Sequence, residues 1–335
     1  MFNYSVIGSG FACIDYIKDG NSTMENLGGT CANVLTILSL LGWESYLWLP
    51  KFCDKELIER YLLERGINPI FFANTQKPVA RMIEKIDVVT KKHQFQIKCL
   101  NCDKMLFSTI LPNKHQVESI KQCEIETANV FFCDRISEGI RFQAEKVRKT
   151  GGLTMYEPNG ARIYTTLKES CCQFEIVKFS KDRIPPKWQA VLPDDVRESN
   201  VKLIIVSMGA QGLKYLFRNE DENFQEWRFI SAVTCEDYAD GTGAGDWLTA
   251  AFLYYFVPLY LQRNNVMRAK DVDEALNKAI KIATFSCREK GAQNIIYNDN
   301  VLNQLRNEYN FPIASVNVDV SKQNASTCPF CGKEL

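Results

Sequence analysis

The chain has no excess of charge of either sign, because its 335 residues include 40 basic and 40 acidic side chains. A net charge of zero excludes nucleic-acid or membrane binding that depends on bulk charge. The most apolar stretch, residues 247–261, is shorter than the roughly 20 residues that cross a bilayer, so we expect a buried core helix there. No basic region followed by an apolar segment opens the chain, and we expect no secretory signal peptide.

Two common nucleotide-binding motifs are missing as well. The sequence contains no Gly-x-x-x-x-Gly-Lys-Ser/Thr run, which excludes an ordinary P-loop. Gly8 and Gly10 follow a predicted strand, but Cys13 occupies the third position of a dinucleotide-binding fingerprint. The two histidines, His93 and His115, lack a recognisable partner pattern, and we expect ordinary solvated or hydrogen-bonded side chains.

Cysteine is abundant by contrast, with 13 residues. Most of them lie singly in apolar segments, as Cys31 and Cys133 do, where a thiol usually acts as a small buried hydrophobic group. Without a secretory signal, we expect the reducing cytoplasm as the compartment and no disulfides.

Short apolar runs alternate with helical segments along most of the chain. This alternation predicts an α/β fold of three layers, in which helices cover both faces of a mostly parallel sheet. Residues 79–109 differ, since they are rich in β-forming residues and alternate in places between apolar and polar side chains. We therefore predict a large α/β domain (1–78 and 110–310), a small β excursion (79–109) and a C-terminal tail (311–335).

The segment with the most specific chemistry is DGTGAGD at residues 240–246, directly before the apolar helix. Glycines let the backbone approach a ligand closely, and the free amides at a helix start bind anions. A carboxylate here would repel a phosphate, but it can act as a base beside a phosphate-binding turn. Asp246 is therefore the candidate general base, and residues 243–245 form the candidate anion hole of a phosphoryl-transfer enzyme.

Two further glycine-rich turns stand at the borders of predicted elements. GGTCAN at residues 28–33 leads into a helix, and SMGAQG at residues 207–212 follows a predicted strand. The end of a parallel strand is where ligands bind in open α/β sheets. Taken alone, each turn is equally compatible with a purely structural role, as a tight loop or as a strand–turn–strand connection.

Together these turns resemble the ribokinase-like (PfkB) family of sugar and nucleoside kinases, over nearly the whole chain from Val6 to about Ile296. Gly28, Gly29 and Asn33 resemble the N-terminal signature of that family, and residues 240–246 resemble its C-terminal signature. The resemblance implies transfer of the γ-phosphoryl group of ATP to a hydroxyl of a sugar, nucleoside or related small molecule, with Mg²⁺ as a cofactor. It also implies that the β excursion is a lid, which covers the acceptor and excludes water.

The same resemblance assigns roles to single residues. Asp246 would take the proton of the acceptor hydroxyl, and the amides of Gly243, Ala244 and Gly245 would face the transferring phosphoryl group. The other assignments are an acceptor site of Asp15, Gly28, Gly29 and Asn33, a nucleotide site of Ser207, Gly209, Gly212 and Thr242, and a monovalent-cation (K⁺) site of Asp240, Thr242, Ser286 and Gly291.

One position departs from the family pattern. The family usually carries Asn-x-x-Glu after the strand that is predicted here at residues 176–179, and the glutamate helps to organise the magnesium. This chain has SKDR at residues 180–183, so Arg183 occupies the glutamate position, and Asp182 is the candidate substitute for the glutamate. The departure favours a second hypothesis, a binding or interaction module with weak or no kinase activity. The intact Asp246 and its glycine turn favour the enzyme.

Two Cys-x-x-Cys pairs form a separate pattern, Cys99 with Cys102 and Cys328 with Cys331. Two such pairs provide four thiolates, the ligand set of a closed structural zinc site that would fasten the tail to the lid region. A redox disulfide is the alternative for a single pair, but it normally opens a helix in a thioredoxin-like unit, which this sequence lacks. Unrelated free cysteines are a further alternative, and the match between the two pairs speaks against it.

The sequence thus predicts a cytoplasmic enzyme whose partner is a small molecule with a hydroxyl group, not a nucleic acid or a membrane. A homodimer that forms through the lid is the candidate assembly. The acceptor itself stays open, because the shape of the lid and the residues around Asp15 would select it.

Overall fold

The computed structural model describes residues 4–19, 22–86, 93–120, 128–218, 224, 226–316 and 327–335. Within these ranges the strands are β1 (Ser5–Ser9), β2 (Cys13–Asp19), β3 (Ser22–Gly28), β4 (Glu44–Lys51), β5 (Ile67–Asn74), β6 (Arg81–Ile86), β7 (His93–Gln96), β8 (Val130–Cys133), β9 (Leu153–Tyr156), β10 (Ile176–Ser180), β11 (Leu203–Ser207), β12 (Leu213–Phe217) and β13 (Arg228–Ile230). The helices are α1 (Thr30–Leu40), α2 (Lys55–Glu64), α3 (Lys114–Glu118), α4 (Glu138–Lys149), α5 (Tyr164–Cys171), α6 (Pro186–Asp195), α7 (Ala244–Gln262), α8 (Ala269–Ser286) and α9 (Asp299–Tyr309).

A large sheet forms the centre of the molecule, with the strand order β13-β12-β11-β10-β9-β8-β1-β4-β5. In this spatial order, the strands from β11 through β1 to β5 pair in parallel with their neighbours. Strands β12 and β13 add two antiparallel strands at one edge. The chain builds the sheet outward from β1, first through β4 and β5 on one side and then from β8 on the other. The point where the direction reverses, between β1 and β8, is where open α/β sheets bind ligands.

A second, smaller sheet has the order β3-β2-β6-β7 and matches the predicted lid in position. Strands β2 and β6 pair in parallel, and the two outer pairs are antiparallel. The segment 79–109 supplies only β6 and β7. The other two strands come from residues 13–28, which the predicted division assigns to the large domain. A lid built from 79–109 alone would therefore lack half of its sheet.

Most of the hydrophobic core of the described residues lies in two clusters, one on each face of the large sheet, and a small third cluster contains Phe11, Cys13 and Ala80. One large cluster contains the buried sides of α1, α7 and α8, and the other those of α4, α5 and α6. Helix α7 is apolar on all sides, and its side chains Trp247, Phe252 and Phe256 are buried, as expected for a helix inside the core. The core helix predicted at residues 247–261 is therefore confirmed, and so is the three-layer α/β fold. Among the described residues, none of the helices combines the length and the apolar composition that crossing a membrane requires.

Helix α8 ends close to the segment that leads into α7. It begins at Ala269 and gives way to a turn at Cys287, whose carbonyl accepts hydrogen bonds from the N–H groups of Ala239 and Asp240. The turn after α8 thus holds the segment that leads into α7. This contact fixes the start of the DGTGAGD motif against the end of a core helix.

Candidate active site

The start of α7 is held by close packing against Ala292. Gly243 caps the helix in the left-handed region, with φ +78°, which favours glycine. A Cβ atom at Gly243 would lie 2.5 Å from the Cβ of Ala292, so a side chain is also excluded by space. Trp247 Nε1 donates to the carbonyl of Ala292 at 2.9 Å. The turn that carries the candidate anion hole is therefore fixed in position.

Asp246 lies in the first turn of α7 and is only 9% exposed. Its Oδ2 accepts a hydrogen bond of 2.7 Å from Asn33 Nδ2 on α1. The pKa of the Asp246 carboxyl is raised to about 7, mainly by burial and also by the nearby Glu157, while Asn33 and Lys178 oppose the shift. A carboxyl that titrates near neutral pH is suited to accept a proton at physiological pH.

A buried ion pair stands beside this carboxyl. Lys178 projects from β10, is 1% exposed, and bonds to Glu157 Oε1 and to the carbonyl of Gly245. The other oxygen of Glu157 accepts from Thr249 Oγ1 at 2.7 Å. Breaking a buried pair of this kind leaves an uncompensated charge, which is strongly unfavourable. Lys178 therefore ties β10 to the first turn of α7 and places a positive charge next to it.

A cavity of about 860 Å³ opens at the carboxyl ends of β9, β10 and β11, in front of the α7 start. It extends along α8 past Ile280 and Ala283, and Arg183 forms part of its wall. The predicted site residues among its lining are Ser207, Gly209, Gly212, Gly243, Ala244, Gly245 and Asp246. Thr242, predicted for the nucleotide site, instead approaches the lid, with its hydroxyl 3.5 Å from Glu84 Oε1 on β6.

The two glycines after β11, Gly209 and Gly212, differ in the space around the missing Cβ atom. Gly212 has φ +98°, and a Cβ there would meet the carbonyl oxygen of Ile230 at 2.1 Å, so the hairpin between β11 and β12 requires it. Gly209 also has a positive φ, but nothing lies within 4 Å of its missing Cβ. The open space beside Gly209 belongs to the cavity. Gly209 is thus the residue of the pair that leaves room for a ligand.

The predicted acceptor residues lie around the start of the lid hairpin. A Cβ on Gly28 would lie 1.9 Å from Asp15 Oδ2, so the glycine makes room for that carboxyl. Cys13 Sγ donates to Asp15 Oδ1 at 3.1 Å. Burial raises the pKa of Asp15 to about 7; the thiol of Cys13 opposes that shift and Glu84 adds to it. Gly29, the residue directly before α1, has φ +96° and packs against the carbonyl of Phe11. Asn33 lies about one turn further along, in α1.

Three of the four residues predicted for a monovalent cation, Asp240, Thr242 and Gly291, are joined by hydrogen bonds. Asp240 Oδ1 accepts from the Thr242 N–H at 2.8 Å, and Asp240 Oδ2 accepts from the Gly291 N–H at 2.7 Å. Ser286 ends α8 nearby in sequence, and its hydroxyl donates to the Ala283 carbonyl at 2.8 Å. The carboxylate of Asp240 thereby joins the segment before α7 to the segment after α8.

Several residues of the site were not predicted as such from the sequence. Lys178 had a detectable signal, since a lysine interrupts the apolar strand of residues 176–179. Glu157 directly follows the short apolar strand β9, and this position at a strand end is its only sequence signal. The buried pair Arg65 and Gln293, bonded at 2.7 Å, lies behind Asn33 and gave no local signal, because the two residues are 228 positions apart.

The four predicted zinc ligands converge in the structure. The sulfurs of Cys99, Cys102, Cys328 and Cys331 all lie within 4.8 Å of one another. Cys99 and Cys331 are 3.9 Å apart at sulfur, and Cys102 and Cys328 are 3.7 Å apart. The lid-side pair adjoins the small sheet, because the Leu106 N–H donates to the Ile97 carbonyl and the Arg81 N–H of β6 donates to the Leu106 carbonyl.

Comparison with known proteins agrees with these motifs. The sequence model of the pfkB family of carbohydrate kinases matches residues 12–299. The deoxyribokinase of Salmonella typhi is 32% identical over 90 residues, which cover 27% of this chain and 24% of the relative. The chain thus spans about a quarter of the length of the curated relatives it matches.

Solved structures share the fold. The ribokinase from Giardia lamblia aligns with a TM-score of 0.67 at 12% identity, covering 87% of this chain and 96% of that one. The fructokinase with bound ATP from Xylella fastidiosa aligns with a TM-score of 0.67 at 14% identity, covering 91% of this chain and 98% of that one. Identities this low establish a common architecture and nothing finer.

Replacing the buried carboxyl should stabilise the protein in a pH-dependent way. Because the pKa of Asp246 is raised from 3.8 to about 7, folding favours its protonated form. The stability that the wild type gains from this protonated carboxyl is fully present below pH 4 and is lost as the pH rises through 7. Asp246→Asn is neutral throughout, so we expect its unfolding free energy to exceed that of the wild type by on the order of 2–4 kcal/mol above pH 7.

Denaturant unfolding at pH 5, 6, 7 and 8 measures this difference. The control is Asp182→Asn, which makes the same substitution at an exposed position. A gain for Asp246→Asn that is the same at every pH would contradict the raised pKa.

Proposed function

The chain belongs to the pfkB family of carbohydrate kinases, and we propose that it transfers the γ-phosphoryl group of ATP to a hydroxyl of a sugar, nucleoside or related small molecule. The observation that carries the proposal is the placement of Asp246, which is buried, has a raised pKa and lies in the first turn of α7 at the cavity wall. A base and an anion-binding helix start at one point are what phosphoryl transfer requires.

In this proposal Asp246 accepts the proton of the acceptor hydroxyl. A carboxyl with a pKa near 7 is a stronger base than an ordinary aspartate and is still largely ionised at slightly alkaline pH. It remains much weaker than an alkoxide, which is acceptable because a loose transition state requires the proton to leave late. Positioning of the two reactants therefore contributes more to the rate than basicity.

Positive charge for the donor phosphates comes from three sources at the cavity wall. The α7 start presents the positive end of the helix dipole and its first amides, of which the Ala244 N–H also donates to the Gly241 carbonyl at 3.2 Å. Lys178 lies behind Gly245, and Arg183 lines the cavity from the end of β10. Ser207 and Gly209 border the same space, and the apolar stretch past Ile280 and Ala283 suits a nucleobase.

Magnesium would bring charge neutralisation with the nucleotide, since it usually binds through phosphates, waters and one or two carboxylates. Both oxygens of Glu157 are already bonded, to Lys178 and Thr249. Arg183 stands where the family pattern has a glutamate. Neither residue therefore offers Mg²⁺ a free carboxylate oxygen, so phosphates and waters would be its principal ligands, and Arg183 adds positive charge at the cavity wall. The loop joined by Asp240 is the candidate K⁺ site, which stays a prediction.

The acceptor class is proposed from the relatives. They are a deoxyribokinase, a ribokinase and a fructokinase, the last with bound ATP. A sugar-like acceptor would lie between Asp246 and the lid strands that carry Asp15. The binding-module hypothesis predicts nucleotide or ligand binding without turnover, so an assay of ATP consumption over a panel of sugars and nucleosides separates the two functions.

We also propose that the four cysteines hold one Zn²⁺. A tetrahedral site with Zn–S bonds of ~2.3 Å has sulfur–sulfur edges of about 3.8 Å, and two of the edges measure 3.9 and 3.7 Å. The two pairs also have matching backbones. The Asp103 N–H donates to the Cys99 carbonyl and the Gly332 N–H to the Cys328 carbonyl, and Asp103 and Gly332 share a positive φ.

Two further expectations stay predictions. The twelve cysteines within the described ranges are free thiols, which supports a reducing compartment such as the cytoplasm. Exposed apolar side chains on and beside the lid, namely Phe95, Ile97, Leu100 and Met105, support assembly of a homodimer through it.

Loss of the base should abolish turnover while ADP binding persists. We expect Asp246→Asn to lower kcat by about 10²–10⁴-fold, since the amide cannot accept the proton but preserves the shape of the site. A coupled assay of ADP release measures kcat, and calorimetric titration with ADP provides the control for the nucleotide site. Turnover within tenfold of the wild type would contradict the assignment of the base.

The anion hole should tolerate one methyl group better than a branched side chain. A Cβ on Gly245 would lie 3.6 Å from Lys178 Nζ, an ordinary contact. We therefore expect Gly245→Ala to retain measurable activity. Gly245→Val should lose nucleotide affinity and kcat together, because its methyl groups block the approach of phosphate to the amides. Equal kinetics for the two variants would argue against an anion hole at this turn.

Purified protein should contain about one equivalent of zinc, with Zn–S distances near ~2.3 Å by X-ray absorption. The double variant Cys328→Ser/Cys331→Ser should lose the metal and raise the KM for the acceptor more than that for ATP, because the tail no longer holds the lid. Cys53→Ser, at an exposed free thiol, is the matched control. Less than about half an equivalent of zinc in wild-type protein purified without chelator would refute the site.

A further inference from the structure

A chain of buried polar side chains lies behind Asp246, and the phosphoryl-transfer chemistry above does not use it. Gln293 Nε2 donates to Asn33 Oδ1 at 2.8 Å. Arg65 Nε in turn donates to Gln293 Oε1 at 2.7 Å. With the bond from Asn33 to Asp246, these contacts form a continuous line from a guanidinium to the carboxyl. We name Asn33, Gln293 and Arg65 the relay; all three are at most 5% exposed.

The direction of the relay follows from the chemistry of its ends. A side-chain amide donates through nitrogen and accepts through oxygen, so it can serve either way round, whereas a guanidinium only donates. Arg65 therefore requires the oxygen of Gln293 to face it. That leaves the nitrogen of Gln293 for Asn33, and then the nitrogen of Asn33 for Asp246. One arginine thus sets the orientation of two amides in sequence.

We propose that Arg65 and Gln293 are positioning residues, which orient Asn33 as a hydrogen-bond donor to Asp246 and so stabilise the ionised form of that carboxyl. The proposal deepens the assigned role of Asp246 and rests on it where catalysis is concerned. If either residue is lost, the amide of Asn33 is free to turn its oxygen toward Asp246, which disfavours the carboxylate.

The rest of the surroundings makes this donor important. Of the charged groups that face Asp246, Glu157 after β9 and Asp134 after β8 favour its protonated form, as burial does. Lys178 of β10 favours the ionised form, but Glu157 already binds its ammonium group. The hydrogen bond from Asn33 is therefore a main counterweight to burial, and its direction decides whether it helps or hinders ionisation.

Arg65 is held in place independently of Gln293. Its NH1 donates to the Tyr61 carbonyl at 3.0 Å, and its guanidinium stacks 5.3 Å from the Tyr61 ring and 5.9 Å from the Tyr297 ring. Its NH2 donates to the Tyr297 hydroxyl, which donates to Asn26 Oδ1 on β3 at 3.1 Å. Asn26 is the cross-strand partner of Asp15. Tyr297 thus links the fixed end of the relay to the lid sheet.

The test measures the pKa of the Asp246 carboxyl directly, by NMR of protein labelled with ¹³C at the aspartate carboxyl carbon. Asp246→Asn assigns the signal. Gln293→Met removes the oriented amide without changing charge, and we expect the pKa to rise by about one pH unit. Gln293→Glu accepts from both neighbours and forces the oxygen of Asn33 toward Asp246, so it should raise the pKa at least as much. If Gln293→Met does not fold, the pKa of Asp246 in Gln293→Glu tests the proposal.

Two comparisons separate orientation from packing. Thr36→Val removes a buried hydroxyl 3.5 Å from Gln293 Nε2 and leaves the relay intact. The pKa of Asp246 in this variant should therefore match that in the wild type. Arg65→Lys keeps a donor without an acceptor, and we expect a smaller shift than in Arg65→Met. An unchanged pKa in both Gln293 variants overturns the proposal. Equal shifts in Arg65→Lys and Arg65→Met overturn the role of Arg65.

The same variants should move the acidic limb of the pH profile of kcat/KM to higher pH, in parallel with the NMR value, while the KM for ATP stays within twofold. Wild-type protein that consumes no ATP with any acceptor would refute the proposed function, yet the NMR titration would still report on the relay. If the enzyme is active but the pKa of Asp246 is unchanged in the Gln293 variants, the relay alone is refuted.

Discussion

The buried carboxylate of Asp246 is the constraint around which the site is arranged. Placing an ionisable group in the first turn of a core helix is unfavourable, and the surrounding chain partly compensates through Asn33, Lys178 and the helix dipole. The compensation is incomplete, because the pKa of the carboxyl stays near 7. The stability that the fold forgoes here is what would suit the group to the proposed role of base.

Parallel topology explains why so many distant segments meet at this carboxyl. Glu157 follows β9, Lys178 belongs to β10, and Asp134 follows β8, so the carboxyl ends of three neighbouring strands contribute charges. The lid hairpin leaves the end of β1 at the same edge of the sheet. Only the helix start must be placed separately, and the packing of Gly243 against Ala292 does this. The site is thus mostly a product of strand order.

The fold class and the principal motif were readable from the sequence, because strand–helix alternation and the DGTGAGD turn are local patterns. The four cysteines were readable for the same reason, as two matched pairs. The lid hairpin was missed, since Cys13, Ile14, Tyr16 and Ile17 are all buried and the strand shows no clean alternation. The relay was out of reach, because the bond between Arg65 and Gln293 depends on how two distant turns pack, which no spacing encodes.

A zinc ion in the proposed four-cysteine site would have a thermodynamic consequence for the lid. A metal bound only by the assembled site stabilises that assembly by mass action, so lid order would follow the free zinc concentration. Linkage is reciprocal: an acceptor that favours the closed lid must tighten zinc binding by the same factor. The four sulfurs would then make the acceptor side of a kinase responsive to metal supply, with no metal among the reacting atoms.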